Sequence, residues 1–297
     1  MDFLEKLIKE FLFYSEFTEQ KSKNTIISTK KDLEQLRDFL ETKTEIENIN
    51  KISPIAIRGF LLSLQKNGVG KRSLNRKLSS VRNFFRYLRK NEYIKIDPTQ
   101  TISAPSFQIE NPDILSLDEI DMLRSVINTK KWNGLRDRLI IELLFSSGIT
   151  SQELLSLGEN VFNLEKREIV VSNGKTVRTV FFSETAREYY KRHLQAKKIK
   201  FKDRYDPDIL FINNSATRLS DRSLRRLIDR YALRAGIKRE ISPYSFRHTF
   251  AAYMLSNKMD IFLLKELLGH MNIETTKIYQ EIIKKPIVLK SLKMIDE

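Results

Sequence analysis

Between Ser242 and Gln280 the chain reads SPYSFRHTFAAYMLSNKMDIFLLKELLGHMNIETTKIYQ. This stretch gathers a fixed cation, Arg247, two of the chain's three histidines, His248 and His270, and a phenol, Tyr279. Such groups suit phosphoryl chemistry carried by side chains alone. A guanidinium donates paired hydrogen bonds to phosphate oxygens, an imidazole adds another, and a phenol attacks phosphorus once its proton is removed. A tyrosine with its ordinary pKa of ~10 is a poor nucleophile at neutral pH unless positive charge or a base assists. There is no Gly-rich phosphate loop and no paired-carboxylate constellation, so neither a metal nor a cofactor is expected. With no cysteine, disulfides, thiolate catalysis and zinc-finger ligation are excluded. Spacing alone does not single out Tyr279 from ten tyrosines. Each residue also has a plain structural account: Tyr279 packed in a short helix, His270 at a helix C-terminus after Gly269, Arg247 paired with a carboxylate, and His248 on another helical face in a structural or supporting role.

A chain of 297 residues has room for about two domains, and 41% hydrophobic with 10% aromatic residues is enough for their cores. The formal net charge of +15 points to a polyanionic partner, nucleic acid first and an anionic membrane surface second. No apolar run approaches the ~18 residues of a membrane span, and the N-terminus is broken by charges at once, so a cytoplasmic protein is expected. An RNA-binding or membrane-surface role lacks aromatic stacking motifs and a basic amphipathic N-terminal helix.

The elements that must position these groups follow from periodicity. Residues 1–100 read as helix throughout. Phe3, Leu4, Leu7, Ile8 and Phe11 fall at helical spacing, as do Leu33, Leu36 and Leu40. SPIAIRGFLLSLQKNG opens on Ser-Pro and closes at Gly68. In KRSLNRKLSSVRNFFRYLRK, residues 71–90, Leu74, Leu78, Val81, Phe85 and Leu88 form one stripe, while Arg72, Arg76, Arg86 and Lys90 lie opposite with Ser79 and Asn83 between them. Eight of these residues are basic and none is acidic, which suits a phosphate backbone. Residues 101–113 carry two prolines and read as a linker, and residues 114–297 as a second domain. There Ser116 with Glu119 forms a capping box, and REIVVSNGKTVRTVFFS forms a hairpin around Asn173-Gly174. A further helix carries Arg222, Arg225, Arg226, Arg230 and Arg234. The expected fold is mainly α with a small β-hairpin or sheet (α+β).

Four segments carry a resemblance. RSLNRKLSSVRNFFRYL resembles the last helix of the core-binding domain of the tyrosine recombinases, of phage-integrase and Xer type. LRDRLIIELLFSSGITSQELLSL resembles the start of their catalytic domain, SPYSFRHTFAAYML the box with the second catalytic arginine, and LLGHMNIETTKIYQ the box in which the nucleophilic tyrosine follows a histidine by nine residues. The resemblance covers nearly the whole chain. It implies a four-helix, SAM-like core-binding domain and a catalytic domain clamped on double-stranded DNA. It further implies an inverted-repeat core site and a tetramer, of one chain or with a related recombinase, linked by C-terminal tails. The implied setting is bacterial and nucleoid-associated, with tasks such as chromosome partition or DNA integration. The implied chemistry is attack by Tyr279 to give a 3′-phosphotyrosyl link and a free 5′-hydroxyl, with Arg247 and His270 on the phosphate oxygens. Arg72, Arg76, Arg86, Lys90, Arg222, Arg225 and Arg226 are the expected DNA contacts.

Three positions depart from the family pattern. The first arginine, in a stretch like T-G-L-R-x-S-E-L, is replaced by Thr150, which with Glu153 makes a capping box and cannot supply a guanidinium's charge. The histidine three residues before Arg247 is Tyr244, one turn away on the same face. The family's hairpin lysine aligns with Asn173, leaving Lys175, just past the turn, as the nearest lysine. Arg136 and Arg138 are sequence-near candidates for the missing cation. Two readings follow: a divergent working recombinase, or a recombinase-like DNA-binding or accessory protein with impaired cleavage.

Overall fold

A computed structural model describes residues 2–43, 48–106, 112–174, 176–285 and 292. The chain divides into two units, residues 1–109 and 110–297.

The first unit contains four helices, α1 (Asp2–Phe17), α2 (Lys23–Lys43), α3 (Pro54–Lys66) and α4 (Lys71–Lys90). Ser53 caps α3, with Pro54 in its first turn where the missing N–H costs nothing. The stripe Leu74, Leu78, Val81, Phe85 and Leu88 is buried, and it packs with Leu4, Phe11, Leu33, Leu36, Leu40 and Phe60. The basic face of α4 is less uniform than its sequence suggests. Asp32 of α2, 1% exposed, accepts from Arg76, from Lys77 at 2.9 Å and from Ser80 at 2.9 Å. The start of the segment read as a linker is tied to this unit, with Arg58 donating to the Thr101 carbonyl and Asn75 to that of Pro105.

The second unit holds α5 (Leu117–Ser125), α6 (Trp132–Ser147), α7 (Ser151–Ser156), α8 (Glu184–Phe201), α9 (Asp221–Arg234), α10 (Pro243–Ser256), α11 (Ile261–Leu268) and α12 (Glu274–Ile283). Between α7 and α8 lies an antiparallel sheet in the order β1 (Phe162–Asn163), β2 (Glu168–Ser172), β3 (Val177–Phe181). The hairpin turn is where Asn173-Gly174 placed it, with Gly174 at φ 83° and the Asn173 side chain accepting from Thr176 N–H. β1, absent from the sequence reading, adds a short third strand. Both capping boxes form, at Ser116/Glu119 and at Thr150/Glu153.

Helix α6 runs through the core, with Leu139, Ile140, Ile141, Leu143 and Leu144 fully buried. Its buried acids are answered: Glu142 by Arg124 and Arg138, and Asp137 by Arg136 and the Tyr231 hydroxyl. A charge left unpaired there would cost several kcal/mol. Past α12, Leu292 is 2% exposed. In sequence Ile287, Leu289, Leu292 and Met294 are apolar with no obvious local partner; the burial of Leu292 corrects that expectation at this residue, and Ile287, Leu289 and Met294 lie outside the described residues. No described helix is long and apolar enough to cross a membrane.

Candidate active site

Three helix ends build the site. Ser242 caps α10 and Pro243 fills its first turn, which fixes where Arg247 emerges one turn later. Gly148 ends α6 in the left-handed region, at φ 63°. A Cβ there would sit 2.4 Å from the Phe250 ring, so only glycine fits. The freed Gly148 carbonyl accepts from Arg247 Nη1 at 2.6 Å. Helix α11 ends on Gly269, also left-handed at φ 69°. Its last carbonyls take two cations: Leu268 accepts from Arg247 Nη2, and Leu267 from Arg178 Nε at 2.7 Å. Positive charge at a helix C-terminus is favoured by the helix dipole.

Directly after Gly269, His270 places Nδ1 2.8 Å from the Thr276 hydroxyl on α12. Burial, helped by Arg247 and Arg178, lowers the His270 pKa to about 4, so the ring is neutral at physiological pH. Three residues past Thr276, Tyr279 is 2% exposed. Burial pushes its phenol up to about 12, against the opposing pull of Arg247. Its hydroxyl lies 2.8 Å from His248 Nδ1. His248 therefore does not point away from the cluster, as its place beside Arg247 suggested. The 100° step between neighbours on a helix still leaves both facing elements packed on α10, α11 for Arg247 and α12 for His248. Tyr244 is exposed, its ring centroid 6.3 Å from that of His248.

Thr150 is engaged as a cap. Its backbone N–H and hydroxyl both donate to Glu153, at 2.8 and 2.9 Å. Glu153 in turn accepts from both terminal nitrogens of Arg178. Burial raises the Glu153 pKa, but the bonds from Arg178 and Thr150 outweigh it and hold the carboxyl below its usual value. Arg178 also acts by charge on Arg247 and His270. The cation beside Arg247 is therefore Arg178, not the sequence-near arginines. Arg136 is spent on Asp137 and the Ile212 carbonyl, and Arg138 on Glu142. A signal for Arg178 existed in the alternation of β3. Arg178 and Val180 share the inward face, and an arginine pointing inward calls for a carboxylate. Lys175 lies outside the described residues.

Arg72, Arg76, Arg86 and Lys90 are exposed on α4, and Arg222, Arg225 and Arg226 on α9. Arg76 is held by Asp32 and Arg225 by Asp221. Arg226 lines a cavity of about 400 Å³ with Arg136, Arg230 and Asn213.

The chain is similar to known proteins along nearly its whole length. The phage integrase family matches residues 113–285, and the phage integrase N-terminal SAM-like domain matches residues 8–92. Tyrosine recombinase XerC of Thermodesulfovibrio yellowstonii is 36% identical over 279 residues, 93% of this chain and 91% of that protein. Tyrosine recombinase XerD of Staphylococcus saprophyticus is 30% identical over 285 residues, 96% of each. Among solved structures, XerH site-specific recombinase bound to palindromic difH in a post-cleavage complex is similar with a TM-score of 0.76 at 20% identity, covering 96% of this chain and 94% of that one. A lambda integrase dimer bound to a COC′ core site gives 0.72 at 14% identity, covering 93% and 94%. With the catalytic-domain profile matched from residue 113 to 285 and relatives aligned along nearly all of its length, this chain belongs to the phage integrase family of tyrosine recombinases.

Proposed function

We propose that this protein performs site-specific DNA recombination, cutting and rejoining strands through Tyr279. The observation that carries the reading is the convergence of Arg247, His270 and Tyr279 from α10, the end of α11, and α12, with Arg178 beside them. Tyr279 attacks a phosphodiester to form a 3′-phosphotyrosyl link and release a 5′-hydroxyl. A 5′-hydroxyl of a partner strand then attacks that link, so the bond energy is conserved and no cofactor is consumed. Arg247 spends two of its five N–H donors on carbonyls and keeps three for the phosphate's non-bridging oxygens. His270, neutral and held through Nδ1, has Nε2 for a further hydrogen bond there.

Duplex DNA is the partner this reading requires. Arg72, Arg86 and Lys90 of α4 and Arg222 and Arg226 of α9 are the groups best placed to meet phosphates. An inverted-repeat site, a cyclic tetramer joined by C-terminal tails and a cytoplasmic setting beside the nucleoid complete the proposal. A chain cut after residue 284 is expected to bind one site and lose cooperativity between sites.

A second reading, a DNA-binding relative with impaired cleavage, is favoured by one observation. Arg178 is neutralised by Glu153, so the site holds one uncompensated guanidinium where the family pattern has two. Covalent trapping separates the readings. Cells are lysed in strong denaturant, the protein is recovered, and attached DNA is sequenced, with Tyr279→Phe as control. DNA carried only by the wild type supports cleavage. None, with DNA at defined loci after formaldehyde treatment, supports the binding protein.

A further inference from the structure

Attack by a phenol requires that its proton go somewhere as the oxygen–phosphorus bond forms. The flanking groups leave few acceptors. Arg247 and Arg178 can only donate. Glu153 is occupied by Arg178 and Thr150. His270 Nδ1 is occupied by the Thr276 hydroxyl. His248 Nδ1, however, lies 2.8 Å from the Tyr279 oxygen, within the 2.6–3.2 Å reach of a general base. The ring centroids are 5.7 Å apart at 47°, so the imidazole meets the hydroxyl at its edge and does not stack on the phenol. The groups facing His248 include Tyr244 and Arg247 on α10, Tyr279 on α12 and His270 at the end of α11.

We infer that His248 is a catalytic residue: its Nδ1 accepts the Tyr279 proton as the tyrosine attacks phosphorus, and returns it when the tyrosine leaves. This rests on the cleavage reading above. In the first step the Tyr279 oxygen bonds to phosphorus and its proton passes to Nδ1. The electron pair of the phosphorus–O5′ bond leaves with the 5′ oxygen, which takes a proton from solvent. In the second step the incoming 5′-hydroxyl loses its proton to solvent, and protonated His248 returns its own to the departing phenolate. The neutral ring must carry its hydrogen on Nε2 beforehand. Burial disfavours spontaneous ionisation of Tyr279, so an acceptor at hydrogen-bond distance assists its attack.

The test has two parts. In the full-length protein without DNA, nitrogen-15 NMR of the histidines reads the tautomer, with Tyr279→Phe assigning the partner. Hydrogen on Nε2, and an Nδ1 signal that moves in Tyr279→Phe, is expected; hydrogen on Nδ1 overturns the inference. The second part uses as substrate the DNA segment recovered by covalent trapping. His248→Ala is expected to slow adduct formation by on the order of 10²- to 10⁴-fold. His248→Gln, which keeps a hydrogen bond but cannot hold a proton, is expected to be nearly as slow. In wild type the rate should rise with pH and level off as the imidazole becomes neutral; in both variants it should keep rising toward the ionisation of the phenol. A His248→Gln chain that is folded and as fast as wild type overturns this inference alone. A wild-type chain that forms no adduct overturns the cleavage reading, and this inference with it.

Discussion

Arg178 on β3 donates through both terminal nitrogens to the carboxylate of Glu153, the same carboxylate that completes the cap on Thr150. Thr150, which the motif resemblance sets in place of a family arginine, is thus bound to the acid that a neighbouring arginine neutralises. Glu153 is 2% exposed, so this pair is a buried one. Removing Arg178 takes from this buried carboxylate the one cation hydrogen-bonded to it among the described residues, a loss that typically costs ~3–5 kcal/mol. Urea denaturation of Arg178→Met is expected to show a loss of that size, and Arg178→Met with Glu153→Gln to recover most of it. A single variant within about 1 kcal/mol of wild type would show that the pair is solvated.

Thr150→Arg restores a guanidinium to the site. It sacrifices a cap worth ~0.5–2 kcal/mol, but it brings charge and paired donors beside Arg247. Losing one such donor generally costs ~10²- to 10³-fold in rate, so recovering part of it should raise covalent adduct formation by about tenfold or more. Gel quantitation of adduct with the trapped DNA checks this. An unchanged or lower yield from a folded variant would show that Arg178 already serves, or that another cation does.

Much of the scaffold was legible because it rests on local chemistry. Leu33, Leu36 and Leu40 declare α2 by spacing, Ser116/Glu119 declares the start of α5, and Asn173-Gly174 the hairpin. β1, two residues long, is too short for any period to show. That Arg247, His270 and Tyr279 come together was suggested by motif resemblance and not by spacing. The Arg178–Glu153 pair joins residues 25 apart in sequence, and the His248–Tyr279 contact residues 31 apart. Both arise only when elements pack, which no local pattern encodes. The same holds for Asp32, whose carboxylate on α2 answers a basic face that α4 alone leaves unbalanced.

Acid should destabilise the protein through His193 on α8. This fully buried ring donates Nε2–H to the Leu210 carbonyl at 3.1 Å, and its Nδ1 has no partner among the described residues. Burial, with Arg136 and Lys197 nearby, lowers its pKa to about 4 despite the Leu210 bond. The unfolded chain, at ~6.5, binds the proton more readily. The stabilising contribution is therefore present above pH ~6.5 and is lost as pH falls, reaching roughly 3 kcal/mol by pH 4. His270, also lowered to about 4, acts in the same direction. Urea melts at pH 7 and pH 4.5 should show the loss, and His193→Gln should reduce the difference. Equal pH dependence in wild type and variant would exclude His193 as its source.

Gly148→Ala tests how far the backbone positions Arg247. The left-handed conformation costs an L-residue ~1–2 kcal/mol, and the new methyl would press on Phe250. The carbonyl that receives Arg247 Nη1 moves with it. Gly174→Ala is the control: it carries a similar φ, and a Cβ there meets nothing within 4 Å. Both should lose stability, Gly148→Ala more. Only Gly148→Ala should also slow adduct formation, measured at a temperature where both remain folded. Equal kinetics in the two would mean that the Gly148 carbonyl does not fix the guanidinium.

The basic face of α4 separates binding from stability. Arg72 and Arg86 are exposed, and among the described residues no carboxylate pairs with either. If each neutralises one phosphate, Arg72→Ala and Arg86→Ala should weaken DNA binding, lower the slope of log K against log salt by about 1, and leave the melting temperature unchanged. Arg76 differs, because its guanidinium is shared with buried Asp32. Arg76→Ala leaves that carboxylate to Lys77 and Ser80 alone. It should cost about 1–3 kcal/mol of stability, the usual penalty for a buried polar group stripped of a partner. Binding isotherms at several salt concentrations, paired with thermal melts, check both halves. An Arg76→Ala chain that melts like wild type yet loses a full unit of salt slope would place Arg76 on the phosphate backbone and leave Asp32 satisfied without it.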